Sequence, residues 1–145
     1  MSIIRLENIF KSFGERNLFT NLSMEIDQGD FVSIMGESGA GKTTLLNIIG
    51  MLEQPDKASV TICGQQSLGF SSRTATMLRR NHISYLMQNY GLVDTETVEY
   101  NLAISARFKK LSKAQKKLLF SSALEQIGLP GYEKRKIYTL SGGEQ

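Results

Sequence analysis

The sequence predicts an α/β fold with an antiparallel β edge and a helical subdomain, and three observations carry that prediction. Short apolar or alternating segments bounded by turn residues fill the N-terminal half, which is the pattern of strands. A glycine-rich turn, Gly36-Glu37-Ser38-Gly39-Ala40-Gly41, joins one of these segments to a helical run. The later part of the chain reads as helices that follow the strands instead of alternating with them.

Taken in order, Ile4 to Phe10 reads as a strand and Lys11-Ser12-Phe13-Gly14-Glu15-Arg16 as a loop. Leu22, Met24 and Ile26 alternate with polar residues, which predicts a half-buried strand. After the turn Gln28-Gly29-Asp30, Phe31-Val32-Ser33-Ile34-Met35 is apolar at four of five positions and reads as a buried strand. Thr44-Leu45-Leu46-Asn47-Ile48-Ile49 opens a helix that ends near Gly50 to Pro55. Ser59-Val60-Thr61-Ile62-Cys63 is a further strand, closed by Gly64. Ser71 to Arg80 reads as a helix, and Ile83-Ser84-Tyr85-Leu86-Met87 as a strand. A helix follows from about Glu96 to Phe108. Another starts at Ser112, whose spacing to Gln115 makes a capping box, and stops at Gly128 before Pro130.

The most specific chemistry lies in Gly36-Glu37-Ser38-Gly39-Ala40-Gly41-Lys42-Thr43, which fits the pattern G-x-x-x-x-G-K-[ST] between a strand and a helix. Gly36, Gly39 and Gly41 lack a Cβ, so the backbone can bend and aim its N–H groups at an anion. The helix N-terminus adds unpaired donors and the positive end of its dipole. Lys42 would reach the β- and γ-phosphates of a nucleotide, the Thr43 hydroxyl would ligate Mg²⁺, and Thr44 can donate to a neighbouring phosphate oxygen.

Composition narrows the class. The 145 residues suffice for one domain with a core, and 41% apolar with 21% charged residues is ordinary for a globular protein. No apolar run spans a bilayer, and Met1-Ser2-Ile3-Ile4-Arg5 does not begin a secretory signal. Cys63 is alone, so no internal disulfide forms, and a net charge of +3 is too small to argue for nucleic acid. His82 reads as a surface or strand-edge residue. Arg107, Lys109, Lys110, Lys113, Lys116 and Lys117, with no acid between Glu99 and Glu125, read as a solvated helical face.

The last six residues, Leu140-Ser141-Gly142-Gly143-Glu144-Gln145, form a second motif. Ser141 offers a hydroxyl, while Gly142 and Gly143 expose backbone N–H groups at a helix start, a second set of donors for an anion. With the glycine-rich loop, and with Phe13 and Gln88 at matching places in the order, this hexapeptide makes the chain resemble the nucleotide-binding domain of ATP-binding-cassette (ABC) transporters. Within that family, Glu37 to Asn47 and the pair Arg79-Arg80 are most similar to exporters of lipoproteins, macrolides and antimicrobial peptides.

The resemblance implies a P-loop NTPase fold of ABC type and a division of residues 1–145 into three parts. Residues 1–87 would form the nucleotide-binding core and β subdomain, 88–140 the glutamine loop and helical subdomain, and 141–145 the start of the signature helix. It implies ATP and Mg²⁺ as ligands, with Phe13 stacking on adenine unless it merely packs at the sheet edge. It also places Gln88 near Mg²⁺ and the attacking water. Ser141, Gly142, Gly143 and Glu144 would cap the γ-phosphate held by a second ATPase domain in a head-to-tail dimer. A transmembrane permease subunit is the implied partner, at the inner face of the cell membrane, with no nucleic acid expected.

The family's later aspartate, catalytic glutamate and switch histidine have no counterpart here, so the C-terminal Walker B half is expected to be lacking. The chain is therefore expected to bind nucleotide but turn it over negligibly. It is also expected to be marginally stable, or to oligomerise through the strand holding Ile34 and Met35. The function expected is the ATPase subunit of an exporter. The alternatives are an ABC ATPase acting on ribosomes or nucleic acid, and a non-catalytic nucleotide-binding fragment. The 98 residues between Lys42 and Ser141 leave no room for the long coiled coil of chromosome-maintenance types.

Overall fold

In the computed structural model, which describes residues 1–67 and 69–145, the alternating N-terminal residues fold as one long hairpin. Strand β1 (Ser2–Phe13) pairs antiparallel with β2 (Arg16–Asp27). The loop expected over Lys11 to Arg16 is corrected, because pairing continues to Ser12↔Asn17 and Phe13↔Arg16. Only Gly14 and Glu15 form the turn, and Gly14 takes φ +59° without steric cost. Leu6 and Ile9 are three apart, which on a regular strand would point them to opposite faces. Both are nonetheless fully buried. A register shift lies between them, and Asn8 within it has φ +52°, so a bulge turns Ile9 back into the core.

β3 (Lys57–Ile62) lies beside β1, and a short β4 (Gln65–Ser67), not anticipated from the sequence, lies beside β3. Cys63 and Gly64 between them both have positive φ, the geometry of a two-residue hairpin turn. The sheet order is β2-β1-β3-β4, and every pair is antiparallel. Helix α1 (Lys42–Ile49) and helix α2 (Arg73–Asn81) contribute Leu45, Ile48, Ala75 and Leu78 to a core with Leu6, Ile9, Val60 and Ile62. Ser72 caps α2 by accepting from the Ala75 N–H at 3.1 Å.

Two expected strands are corrected. Residues 31–35 and 83–87 carry no strand, and Phe31, Met35 and Leu86 are 98%, 86% and 83% exposed. Their composition suits a buried strand, but a strand exists only as a member of a ladder, and no described residue pairs with either segment.

The chain divides into two compact units, Met1–Tyr85 and Leu86–Gln145. In the second, α3 (Val98–Ser105) is shorter than expected, beginning after Thr97, which caps it by accepting from the Tyr100 N–H. α4 (Lys113–Gln126) has the expected capping box between Ser112 and Gln115. It ends at Gly128, φ +77°, with the Leu129 N–H donating back to Leu124 at 2.8 Å. Two 3₁₀ turns follow, Tyr132–Lys134 and Ile137–Thr139. Val98, Leu124, Ile137 and Leu140 form this unit's own core. Among the described residues no helix is long and apolar enough to cross a membrane.

Candidate functional site

The glycine-rich loop takes its shape from its glycines and from the hairpin beside it. Gly41 has φ +92°, and a Cβ there would stand 2.9 Å from Leu18 Cγ and Phe19 Cζ of β2, so both dihedral and space require glycine. The Leu45 N–H then donates to the Gly41 carbonyl at 2.8 Å, opening α1. Lys42 Nζ folds back to donate to the Gly36 and Glu37 carbonyls, at 2.9 and 2.7 Å. An ammonium held this way draws the loop around its own charge. From the other side Arg16 Nη2 donates to the Gly39 carbonyl at 2.9 Å.

These groups bound a cavity of about 460 Å³, lined by Ser38, Gly39, Gly41, Lys42, Thr43 and Thr44 of the loop and by Phe13, Arg16 and Leu18 of the hairpin. Its charged lining is Lys42 and Arg16, with hydroxyls from Ser38, Thr43 and Thr44 and no carboxylate. Such a lining attracts a polyanion and offers no group to deprotonate water. Phe13 is half exposed, with Lys11 Nζ 4.8 Å from its ring centre. Lys11 is itself anchored by Glu53 at 3.2 Å and the Gln54 carbonyl at 3.0 Å, so one ring face is occupied by a fixed cation. Of the residues singled out by sequence, Phe13, Ser38, Gly39, Gly41, Lys42, Thr43 and Thr44 meet at this cavity. Gly36 and Glu37 serve it through carbonyls, and Ala40 continues the loop with its N–H donating to Glu37. Arg16 and Leu18 were missed. Their signal was the Gly14-Glu15 turn, which sets Arg16 directly across from Phe13.

The remaining motif residues belong to the second unit. Gln88 opens an exposed turn, not the end of a strand, and the Tyr90 N–H closes that turn on the Met87 carbonyl. At the signature, Glu144 Oε2 accepts from the Ser141 amide at 2.8 Å and from the Ser141 hydroxyl at 2.7 Å. Glu144 Oε1 accepts from the Tyr132 hydroxyl at 3.1 Å. The Ser141 hydroxyl, then its amide, then Tyr132 hold the Glu144 carboxyl below its ordinary range by bonding the charged form. Gly142 lies open apart from Tyr90, whose hydroxyl would be 3.5 Å from a Cβ there, and Gly143 has no neighbour within that reach. Among the described residues no cluster of His, Cys, Asp or Glu could hold a metal ion by itself.

The ABC transporter family profile matches residues 19–145. The chain is 35% identical to the macrolide export ATP-binding/permease protein MacB of Mannheimia succiniciproducens, covering 100% of this chain and 23% of that protein. It is 36% identical to the spermidine/putrescine import ATP-binding protein PotA of Acetivibrio thermocellus, covering 99% of this chain and 39% of that protein. The dimeric post-hydrolysis structure of the ATP-binding cassette MJ0796, bound to ADP and Pi, superposes with a TM-score of 0.84 at 31% identity. That match covers 97% of this chain and 64% of MJ0796, so the chain spans less than two-thirds of each of these proteins.

Proposed function

This chain belongs to the ABC transporter family, and on that premise we propose that it binds Mg-ATP in the cavity between its glycine-rich loop and the β1–β2 hairpin, as part of the ATPase of an exporter. The observation that carries the reading is the pairing of Lys42 with a hydroxyl-lined loop and an aromatic residue, Phe13, in one cavity. In this reading Phe13 takes the adenine on its open face and the loop N–H groups take the phosphates. Lys42 exchanges the Gly36 and Glu37 carbonyls for phosphate oxygens. Hydroxyl and amide ligands without carboxylates suit a Mg²⁺ ion carried mainly by phosphate oxygens and water. Thr43 would hold that ion, which supplies charge neutralisation of the phosphates when bound.

Turnover by this chain is low, because the cavity lining holds donors and cations but no base. Residues 1–87 serve as nucleotide-binding core, 88–140 as glutamine loop and helical part, and 141–145 as the signature start. The signature residues Ser141, Gly142, Gly143 and Glu144 serve a second ATPase domain in a head-to-tail pair. Export rests on the macrolide-export relative, with a permease partner at the inner face of the cell membrane. An importer subunit is the second reading, favoured by the polyamine-import relative.

Calorimetric titration with Mg-ATP, beside phosphate-release assays, tests the proposal. One nucleotide is expected per wild-type chain, none with Lys42→Ala, and negligible release of phosphate. Equal binding by both proteins would remove the loop from the site, and brisk Lys42-dependent turnover would overturn the low-activity reading.

A further inference from the structure

We infer that Arg16 is a second phosphate-binding cation of this cavity, engaging the polyphosphate of a nucleoside di- or triphosphate while it straps the loop at Gly39. The inference rests on the cavity being the nucleotide site. Arg16 opens β2 as the register partner of Phe13, so the two-residue turn, not the loop, fixes where it starts. Its Nη2 donates to the Gly39 carbonyl at 2.9 Å, and a Cβ on Gly39 would lie 3.6 Å from Nη2 and 3.8 Å from Nη1. Both terminal nitrogens therefore lie against the bent middle of the loop.

A guanidinium carries five N–H donors in a planar fork. The Gly39 carbonyl takes one of them, and among the described residues Arg16 makes no salt bridge. A charged fork with donors to spare thus lines the cavity that Lys42 lines. A ligand with its base at Phe13 and its terminal phosphates at Lys42 would share this one cavity with the fork. The same planar group can bond a loop carbonyl on one edge and a phosphate oxygen on another, which a lysine ammonium matches less well.

Calorimetric titration of the chain with Mg-ATP and Mg-ADP, at low and at high salt, tests this in Arg16→Ala, Arg16→Lys and Arg16→Gln. Arg16→Ala is expected to weaken both ligands about tenfold, the worth of one charge-assisted contact. It should also flatten the salt dependence, since one cation facing the ligand is gone. Arg16→Lys is expected to recover part of the affinity and the salt dependence. Arg16→Gln keeps a donor for the Gly39 carbonyl without the charge, so full recovery in that variant would reduce Arg16 to a strap and overturn the inference. Wild-type affinity in Arg16→Ala would overturn it equally. If Arg16→Ala fails to fold by circular dichroism, the comparison of Arg16→Lys with Arg16→Gln decides alone. Loss of binding by the wild-type chain itself would instead remove the nucleotide-site reading on which this rests.

Discussion

The Tyr85 hydroxyl donates to the Asn47 side-chain carbonyl at 2.7 Å, tying the segment after α2 to the helix that begins at Lys42. A Cβ on Gly50 would stand 2.9 Å from Tyr85 Cδ2 and 3.2 Å from Cε2, so one edge of the ring lies against the end of α1. This contact anchors residues that no strand pairs with. Tyr85→Phe is expected to destabilise the chain by about 1 kcal/mol, the net worth of one hydrogen bond, in urea titration. Gly50→Ala, which displaces the ring, is expected to cost more, about 1–3 kcal/mol. An unchanged midpoint in both variants would show that the contact contributes nothing.

Gly41 tests whether the loop's shape is indispensable. Its φ of +92° and the 2.9 Å approach of Leu18 and Phe19 leave no room for a methyl group. Gly41→Ala is expected to cost about 1–3 kcal/mol through backbone strain and to abolish Mg-ATP binding. Gly64 also has positive φ, but it has open space around it, so Gly64→Ala should leave binding intact. Equal nucleotide affinity in the two variants would refute the argument.

The Glu144 clasp predicts a pH dependence with a definite sign. Hydrogen bonds from Ser141 and Tyr132 depress its pKa in the folded chain. The clasp's contribution is therefore fully present above the ordinary 4.5 of a glutamate and is lost as pH falls through the lower folded value. The Ser141 amide resonance is expected to titrate with a midpoint below 4.5. Glu144→Gln should abolish that transition. A midpoint at or above the ordinary value would contradict the hydrogen bonding described.

Exposure of Phe31 and Met35 makes residues 31–35 the expected site of self-association. Light scattering of the wild-type chain should show mass rising with concentration, and Phe31→Lys with Met35→Lys should suppress it. A wild-type monomer across the whole concentration range would rule this out.

Helix α4 supplies the plainest stability test. Ser112→Ala removes the capping acceptor for the Gln115 N–H and is expected to cost about 1 kcal/mol. Ser112→Asp should restore most of it, and a silent Ser112→Ala would mean that α4 does not depend on its cap.

Local chemistry was readable from sequence wherever a segment closes its defining hydrogen bonds within itself. The Gly36–Thr43 loop, the Ser112–Gln115 box and the Gly128 stop each close hydrogen bonds within a few residues, so spacing and residue type sufficed to find them. The hairpin from Ser2 to Asp27 was legible by alternation, but its bulge at Asn8 and its tight turn were not, because register depends on the partner strand. Phe31 to Met35 and Ile83 to Met87 have strand composition, yet only a ladder partner can make a strand, and none of the described residues provides one. Arg16 shows the same division. Its identity says only that a cation is present, whereas pairing with Phe13 and folding against Gly39 place that cation on the wall of the cavity. The sequence alone therefore determined the glycine-rich loop and the family. The tertiary structure decided which distant residues share its cavity, because that depends on strand register and packing across the chain.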